Sequence, residues 1–288
     1  MTTLSVLGVG KIGGEVAFLA SLMECIDEII LYDAYAPLLH AQVLDLRHTG
    51  VDVGISTDTH AVKHSDICVF SAGLPRNPAV KTRADLLAAN LPVASECSGL
   101  LHGFEGVLVT VTNPMDPNNY YLHRKAELGA AQCIGFGGQL DSARFDLVLK
   151  QQGISGRSIV LGEHGEHQVP LFSRLPEHVP EETREGILHQ LRGSSMEVIR
   201  GKGGTVFGPA FHIAELIRMI ATDSCAAITC SCIMDGEHGF DRCSLGVPAV
   251  IGRRGVIAIQ EWQMDPWEQQ KWNEAGTFIR DLCKEISI

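Results

Sequence analysis

The sequence predicts an α/β fold, in which an N-terminal doubly wound parallel sheet is followed by a mixed α+β region. Short apolar runs alternate with helical patterns from residue 4 to about residue 135. This alternation is typical of parallel strands that are covered by helices on both faces. Strict alternation then stops, and longer helical patterns accompany closely spaced strand-like runs. We therefore predict two domains, residues 1–136 and residues 137–288.

The composition is that of a globular protein with an acidic surface. The chain has 288 residues, of which 45% are hydrophobic and 20% are charged, and its formal net charge is −11. This charge argues against nucleic acid or an anionic membrane as the main partner, whereas a few arginines can still hold a small anionic substrate. The nine cysteines form no C-x-x-C pair, which favours reduced thiols. With no leader-like or membrane-spanning stretch, we expect a cytoplasmic protein.

A glycine-rich turn follows the first strand-like run, at residues 4–7. Gly8, Gly10 and Gly13 have G-x-G-x-x-G spacing, and a helical pattern begins at once. In a strand–turn–helix unit, the first glycine allows the turn, the second lets the backbone approach a pyrophosphate, and the third lets helix and strand pack closely. Free N–H groups at the helix N-terminus face the phosphates. The alternative is an ordinary βα turn that happens to be rich in glycine.

A carboxylate follows the second strand-like run, at residues 29–32. Asp33 stands twenty residues after Gly13, where it can accept hydrogen bonds from the adenosine ribose hydroxyls. A 2′-phosphate would meet this carboxylate, so Asp33 favours NAD over NADP. Strand, glycine spacing, helix and acid together predict a dinucleotide-binding Rossmann domain.

The remaining elements of the first domain follow in alternation. Apolar runs predict strands at residues 51–56, 67–71, 107–111 and 132–134, and helical patterns occupy residues 37–48, 84–101 and 116–128. Pro92 is expected to kink or divide the second of these helices. Residues 74–83 are predicted to form a loop, because two prolines and two arginines do not fit inside a parallel sheet.

The second half reads as helices and strands without βα alternation. Helices are predicted at residues 138–152, 209–222 and 266–286, with one or two more within 180–199, and strands at residues 159–161, 225–234, 244–251 and 255–259. The glycines of residues 201–204 predict a break between helices.

His164 is a candidate acid–base group. It follows a predicted strand and lies between two glycines, and an imidazole exchanges a proton near neutral pH. A surface histidine in a turn is the alternative. A metal site with His167 is a further one, but H-x-x-H without a distant cysteine or carboxylate cluster supports it weakly, and we predict no metal.

Four further charged residues are candidates for substrate chemistry. Asp141 and Arg144 share one helix face. They form either a surface salt bridge of little value or an acid that orients a histidine beside an arginine that binds a carboxylate. Arg76 and Arg83 bracket the proline loop. They are either solvated, or hold an anionic substrate under a loop that closes as a lid.

These motifs together resemble the lactate/malate dehydrogenase family, most closely its lactate-dehydrogenase-like malate dehydrogenases from archaea and bacteria. The resemblance runs in one register from about residue 4 to residue 285. The stretches that carry it are residues 8–14, 31–33, 72–83 with 85–87, 111–116, 140–145, 162–165 and 202–209. It implies a Rossmann domain that binds NAD, followed by an α+β domain for substrate binding and catalysis.

The resemblance implies a role for each matching residue of the substrate site. His164 would accept the proton during alcohol oxidation, while Asp141 would hold its imidazole. Arg144 would bind the C1 carboxylate of the substrate, and Arg83 would polarise its carbonyl. The other implied contacts are Asn113 near the substrate oxygen and the nicotinamide ribose, and Thr205 in the pocket wall. The implied cofactor-binding residues are Gly8, Gly10, Lys11, Ile12, Gly13, Asp33, Asn90, Val111 and Asn113. The Asn113–Pro114 peptide bond would be cis.

Within this resemblance, Arg76 is the residue that indicates which substrate is bound. In this family an arginine at that position pairs with the second carboxylate of malate, whereas lactate dehydrogenases carry glutamine. The loop from Arg76 to Arg83 is one residue longer than is usual in malate dehydrogenases, and Ala79-Val80-Lys81 replaces an expected glycine.

The resemblance thus implies reversible NAD-dependent oxidation of malate, a small dicarboxylate, by a protein that self-associates as a dimer or tetramer. A dehydrogenase for lactate or another 2-hydroxy acid is the nearest alternative. A non-catalytic dinucleotide-binding regulator and a zinc hydrolase built on His164 and His167 are alternatives of other classes.

Overall fold

One continuous sheet runs through both halves of the chain in the computed structural model, which describes residues 1–74 and 82–286. Its strands follow the spatial order β3-β2-β1-β4-β5-β6-β9-β10-β7-β8, with β11 paired to β10. The N-terminal strands are β1 Thr3–Leu7, β2 Glu28–Tyr32, β3 Gly54–Ser56, β4 Ile67–Phe70, β5 Val107–Thr110 and β6 Cys133–Gly135. The later strands are β7 Val160–Gly162, β8 Gln168–Pro170, β9 Ala226–Asp235, β10 Asp241–Gly252 and β11 Gly255–Ile259.

The first six strands are parallel, and helices cover them on both faces. These helices are α1 Lys11–Ser21, α2 Ala36–His48, α3 Arg83–Leu100 and α4 Met115–Lys125. All residues of β4 and β5 are buried, as expected for strands inside a doubly covered sheet. The predicted Rossmann-type α/β fold is therefore confirmed in this half.

An antiparallel pairing joins this half to the second one. Ile134 and Gly135 of β6 pair with Cys232 and Ser231 of β9, and every later pairing in the sheet is antiparallel among the described strands. The helices of this half are α5 Gly138–Gln151, α6 Glu181–Lys202, α7 Phe207–Ala221 and α8 Pro266–Lys284. A small second core forms around Phe145, Phe172 and Trp267.

Four local features differ from the sequence-based expectation. Pro92 lies inside α3 without dividing it, and α6 is one helix that continues through Gly201 to Lys202. The predicted break is confined to Gly203, whose left-handed φ of 77° ends the helix. The strand predicted at residues 51–56 forms only over β3, and β8 was not predicted. No helix of residues 1–74 and 82–286 is long and apolar enough to cross a membrane.

Candidate active site

The turn between β1 and α1 has the shape that a dinucleotide pyrophosphate requires. Gly8 has a φ of +90°, and a Cβ there would overlap the backbone of Ala72. A Cβ at Gly13 would overlap the Gly8 carbonyl oxygen, whereas a Cβ at Gly10 would meet nothing within 4 Å. The first and third glycines are thus required by packing. The middle one leaves open space in front of α1, whose N-terminus has no side-chain cap.

Asp33 is fixed beside this turn by two backbone N–H groups. Its Oδ2 accepts a hydrogen bond from Val9 N at 2.9 Å, and its Oδ1 accepts one from Tyr35 N at 2.9 Å. Each carboxylate oxygen can accept more than one hydrogen bond, so acceptor capacity remains for ribose hydroxyls. Lys11 and Ile12 begin α1 next to the turn. The N-terminal residues therefore fit a dinucleotide.

Asn90 joins the loops that follow β4 and β5. Its Nδ2 donates to the Asn113 carbonyl at 2.8 Å, and its Oδ1 accepts from Leu74 N at 2.7 Å. Asn90 is fully buried, whereas Asn113 is exposed at the carboxyl edge of the sheet. The Asn113–Pro114 bond is cis, as the family resemblance predicts. Val111 continues beyond β5, and its N–H donates to the Phe70 carbonyl at 2.9 Å.

The side chains of His164 and Asp141 form a pair, in which Asp141 is buried and the His164 side chain is 15% exposed. His164 Nδ1 lies 2.7 Å from Asp141 Oδ2, and the Arg144 guanidinium contacts Asp141 Oδ1 at 3.1 Å. Asp141 is supplied by the first turn of α5, and His164 by the turn after β7. A Cβ at position 137 would lie 2.5 Å from the His164 ring, so Gly137 makes room for the imidazole.

The pKa values of this pair shift in opposite directions. Burial by itself would lower the pKa of His164, but the charge of Asp141 and its hydrogen bond outweigh burial and raise it. Burial would likewise raise the pKa of Asp141, yet the charge of His164, its hydrogen bond and Arg144 lower it. Asp141 therefore stays a carboxylate that orients Nδ1–H and leaves Nε2 free to exchange a proton.

Arg83 reaches this pair from the start of α3. Its guanidinium donates to the His164 carbonyl at 3.2 Å and lies 3.3 Å from Glu163 Oε1. Glu163 is 2% exposed, and its other oxygen accepts from the backbone N–H groups of Glu166 and His167 at 2.6 and 2.8 Å. A capping box between Thr82 and Asp85 fixes the helix end that carries Arg83.

Asp116 is a neighbour of His164 that the sequence analysis left without a role. Its Oδ2 accepts a hydrogen bond from His164 N at 2.9 Å, and its Oδ1 accepts one from the Ser231 hydroxyl. Burial and the charge of Glu163 raise the pKa of Asp116 to about 7. The sequence signal was an acid in the first turn of the helix that follows β5, but its burial depends on β9.

The structure thus brings together Arg83, Asp141, Arg144 and His164, which are distant in sequence. Thr205 lies half-buried in the turn between α6 and α7. Arg76 lies outside the described residues. The ring of His167 packs on Phe278 with centroids 4.4 Å apart. Within residues 1–74 and 82–286, no group of three or more His, Cys, Asp or Glu side chains is arranged to hold a metal ion.

Both halves of the chain match models of one known protein family. The family model described as lactate/malate dehydrogenase, NAD binding domain, matches residues 2–135. The model described as lactate/malate dehydrogenase, alpha/beta C-terminal domain, matches residues 138–287. These two matches meet at the connection between β6 and α5.

Individual relatives match over nearly the whole chain. A malate dehydrogenase of Haloferax volcanii is 33% identical over all of both chains. An L-lactate dehydrogenase of Staphylococcus aureus is 30% identical over 97% of this chain and 95% of its own. The structure of Archaeoglobus fulgidus malate dehydrogenase in complex with NADH has a TM-score of 0.89 and 29% identity, and 99% of each chain is covered. The glycine turn and the charged cluster around His164 therefore stand in a chain that belongs to the lactate/malate dehydrogenase family.

Proposed function

We propose that this protein is an NAD-dependent malate dehydrogenase, which oxidises malate reversibly to oxaloacetate. The observation that carries the proposal is the His164–Asp141 pair, flanked by the guanidinium groups of Arg83 and Arg144. A pure binding protein has no need of an acid–base pair between two arginines. The relatives named malate dehydrogenase support the choice within the family.

The N-terminal half fits the dinucleotide. We infer that residues 1–136 hold it through the turn of Gly8, Gly10 and Gly13 and through the carboxylate of Asp33, while residues 137–288 supply most of the substrate site. Lys11, Ile12, Val111 and Asn113 lie along the same carboxyl edge of the sheet. NAD, when bound, supplies the hydride acceptor.

His164 acts as the proton acceptor during malate oxidation. Asp141 fixes Nδ1–H, so the neutral imidazole presents Nε2 to the substrate hydroxyl. The same carboxylate raises the pKa of His164 against the effect of burial and so stabilises the imidazolium that forms. In oxaloacetate reduction, the imidazolium returns this proton to the carbonyl oxygen.

The two arginines bind and polarise the substrate. The planar guanidinium of Arg144 matches a carboxylate with two parallel hydrogen bonds. Arg83 places a positive charge beside His164, where negative charge develops on the carbonyl oxygen during reduction. Asn113 donates near the same oxygen, and Thr205 lines the pocket.

Arg76 is the residue that we expect to determine the preference for malate over lactate. A second substrate carboxylate that is buried without a cation costs on the order of several kcal/mol. We expect Arg76→Gln to lower turnover of oxaloacetate far more than turnover of pyruvate, measured as NADH oxidation with each substrate side by side. Equal losses on both substrates would remove Arg76 from the selectivity. Faster wild-type turnover of pyruvate than of oxaloacetate would favour the 2-hydroxy-acid alternative, and no turnover of either would favour the regulator.

Asp33 sets the cofactor preference. Asp33→Ala is expected to raise the NADPH-to-NADH ratio of kcat/KM, because the carboxylate that opposes a 2′-phosphate is gone. Steady-state rates with both cofactors test this, and Asp52→Ala, at an exposed position between α2 and β3, is the matched control. An unchanged ratio would rule out the assigned role of Asp33.

We further propose that the protein is cytoplasmic and self-associates as a dimer or tetramer. Phe18 of α1 and Leu22, which directly follows this helix, expose 40% and 56% of their surface, which favours an apolar contact here. Ile213, Ile217 and Ile220 of α7 are buried in the core instead. Light scattering on the purified protein gives the assembly state.

A further inference from the structure

A second carboxylate contacts His164 and has no role in the proton transfer or substrate binding proposed for this site. Asp116 stands in the first turn of α4 with 1% of its surface exposed. One oxygen accepts the backbone N–H of His164 at 2.9 Å, and the other accepts the hydroxyl of Ser231 on β9. A carboxylate this deeply buried is costly, because ions lose their hydration there. Two specific acceptor contacts, one of them to His164 itself, indicate that it has a task.

The groups that face Asp116 come from four elements. Glu163 and His164 lie in the turn after β7, and Ser231 lies on β9. The charge of Asp116 also acts on the thiols of Cys243 in β10 and Cys283 in α8. Burial raises the pKa of the Cys243 thiol to about 12 and that of Cys283 well above its ordinary value, so both stay neutral. Asp141 of α5 contacts Nδ1 of the His164 ring instead. The charged groups that act on Asp116 are therefore Glu163 and His164.

We infer that Asp116 is a positioning residue, which fixes the His164 backbone and whose negative charge favours the protonated imidazole. This inference rests on the proposed role of His164 as the proton acceptor. Asp141 and Asp116 then act from two directions, one on the ring nitrogen and one on the main chain.

The direction of the charge effect follows from the groups involved. The charge of Asp116 raises the pKa of His164, although it acts more weakly than burial and Asp141. Asp116 itself has a pKa raised to about 7 by burial and by Glu163. It therefore gains its charge as the pH rises through neutrality, and this charge acts on His164. Such interacting groups titrate together, so we expect the protonation curve of His164 to be broader than that of a single site.

Asp116→Asn tests this with little change in shape. Asparagine keeps an oxygen to accept from His164 N, and its amide can donate to the Ser231 oxygen, so only the charge is lost. We expect the pKa of His164 to fall and its titration to become that of a single site. NMR of the labelled imidazoles measures this directly, with His164 assigned by its absence in His164→Asn.

Kinetics provide a second readout. Oxaloacetate reduction needs protonated His164. The falling limb of its pH–rate profile should therefore move to lower pH in Asp116→Asn, with a severalfold lower kcat/KM on the alkaline side. Malate oxidation needs neutral His164, so the rising limb of its pH–rate profile should also move to lower pH.

Ser231→Ala removes a hydrogen bond that lowers the pKa of Asp116. It should shift the His164 titration in the same direction by less, and add nothing in the Asp116→Asn background.

The matched control is Asp146→Asn on α5, whose carboxylate pairs with Lys150 at the surface. It should leave the His164 titration unchanged. An Asp116→Asn protein with a wild-type His164 titration would overturn the inference, whatever its activity. A protein that turned over neither oxaloacetate nor pyruvate but showed the expected shift of His164 would overturn the proposed function and keep the coupling between Asp116 and His164.

Discussion

His164→Asn is expected to lower the rate of malate oxidation by roughly 100- to 10,000-fold, the range that a positioned general acid–base contributes. Asparagine has no group that takes up a proton near neutral pH. Cofactor affinity should be retained, because the glycine turn and Asp33 do not contact His164. Single-turnover rates, together with NADH binding followed by fluorescence, separate the two effects.

His167→Asn is the matched control for this variant. It lies three residues further along the chain, and its ring packs on Phe278 instead of on Asp141. We expect near-normal turnover from it. Near-normal turnover of His164→Asn would instead remove His164 from the mechanism, and equal losses in both variants would indicate damage to the turn after β7.

Arg144→Gln is expected to lower kcat/KM for oxaloacetate by roughly 30- to 5,000-fold, which corresponds to the loss of one partner from a buried, hydrogen-bonded charge pair. The substrate carboxylate would lose its bidentate donor in a site with little water. Arg144→Lys keeps the charge but loses the planar fork, and should fall between the wild type and Arg144→Gln. Steady-state kinetics over a range of oxaloacetate concentrations measure the effect.

Arg144 also contacts Asp141, so a loss of activity has two possible origins. The His164 titration separates them. Loss of the Arg144 charge alone would raise the pKa of His164, whereas a disturbed Asp141 would lower it. Arg218→Gln, which breaks an exposed pair with Glu215 on α7, is the control for removal of an arginine. Full kcat/KM in Arg144→Gln would contradict its assignment as the carboxylate ligand.

The elements with strong local signals were predictable from the sequence. The run from β1 through the glycine turn and α1 to β2 agrees with prediction to within a residue or two, since strand, turn and helix each have their own pattern there. The strand at residues 51–56 is shorter than predicted, because it pairs only with Glu28 to Ile30. The three residues of β8 have no periodicity, and they are a strand only because β7 pairs with them.

The site was predictable in its members but not in its contacts. Asp141 and Arg144 share a helix face, as their spacing requires. That His164 faces Asp141 followed only from the family resemblance. The contact of Arg83 with the His164 carbonyl, 81 residues away, was not predicted at all. The burial of Asp116 could not be predicted from the local sequence pattern. Its burial depends on Ser231, which lies 115 residues further along the chain.

The antiparallel joint between β6 and β9 couples the stability of the two halves. If the sheet were cut there, Ile134 and Gly135 would lose their pairing with β9, and Ser231 and Cys232 would lose their pairing with β6. Neither half can then open fully without exposing an edge of the other, so the chain should unfold as one cooperative unit. A dinucleotide that binds only the folded N-terminal half therefore also protects the strands and helices around His164, by mass action.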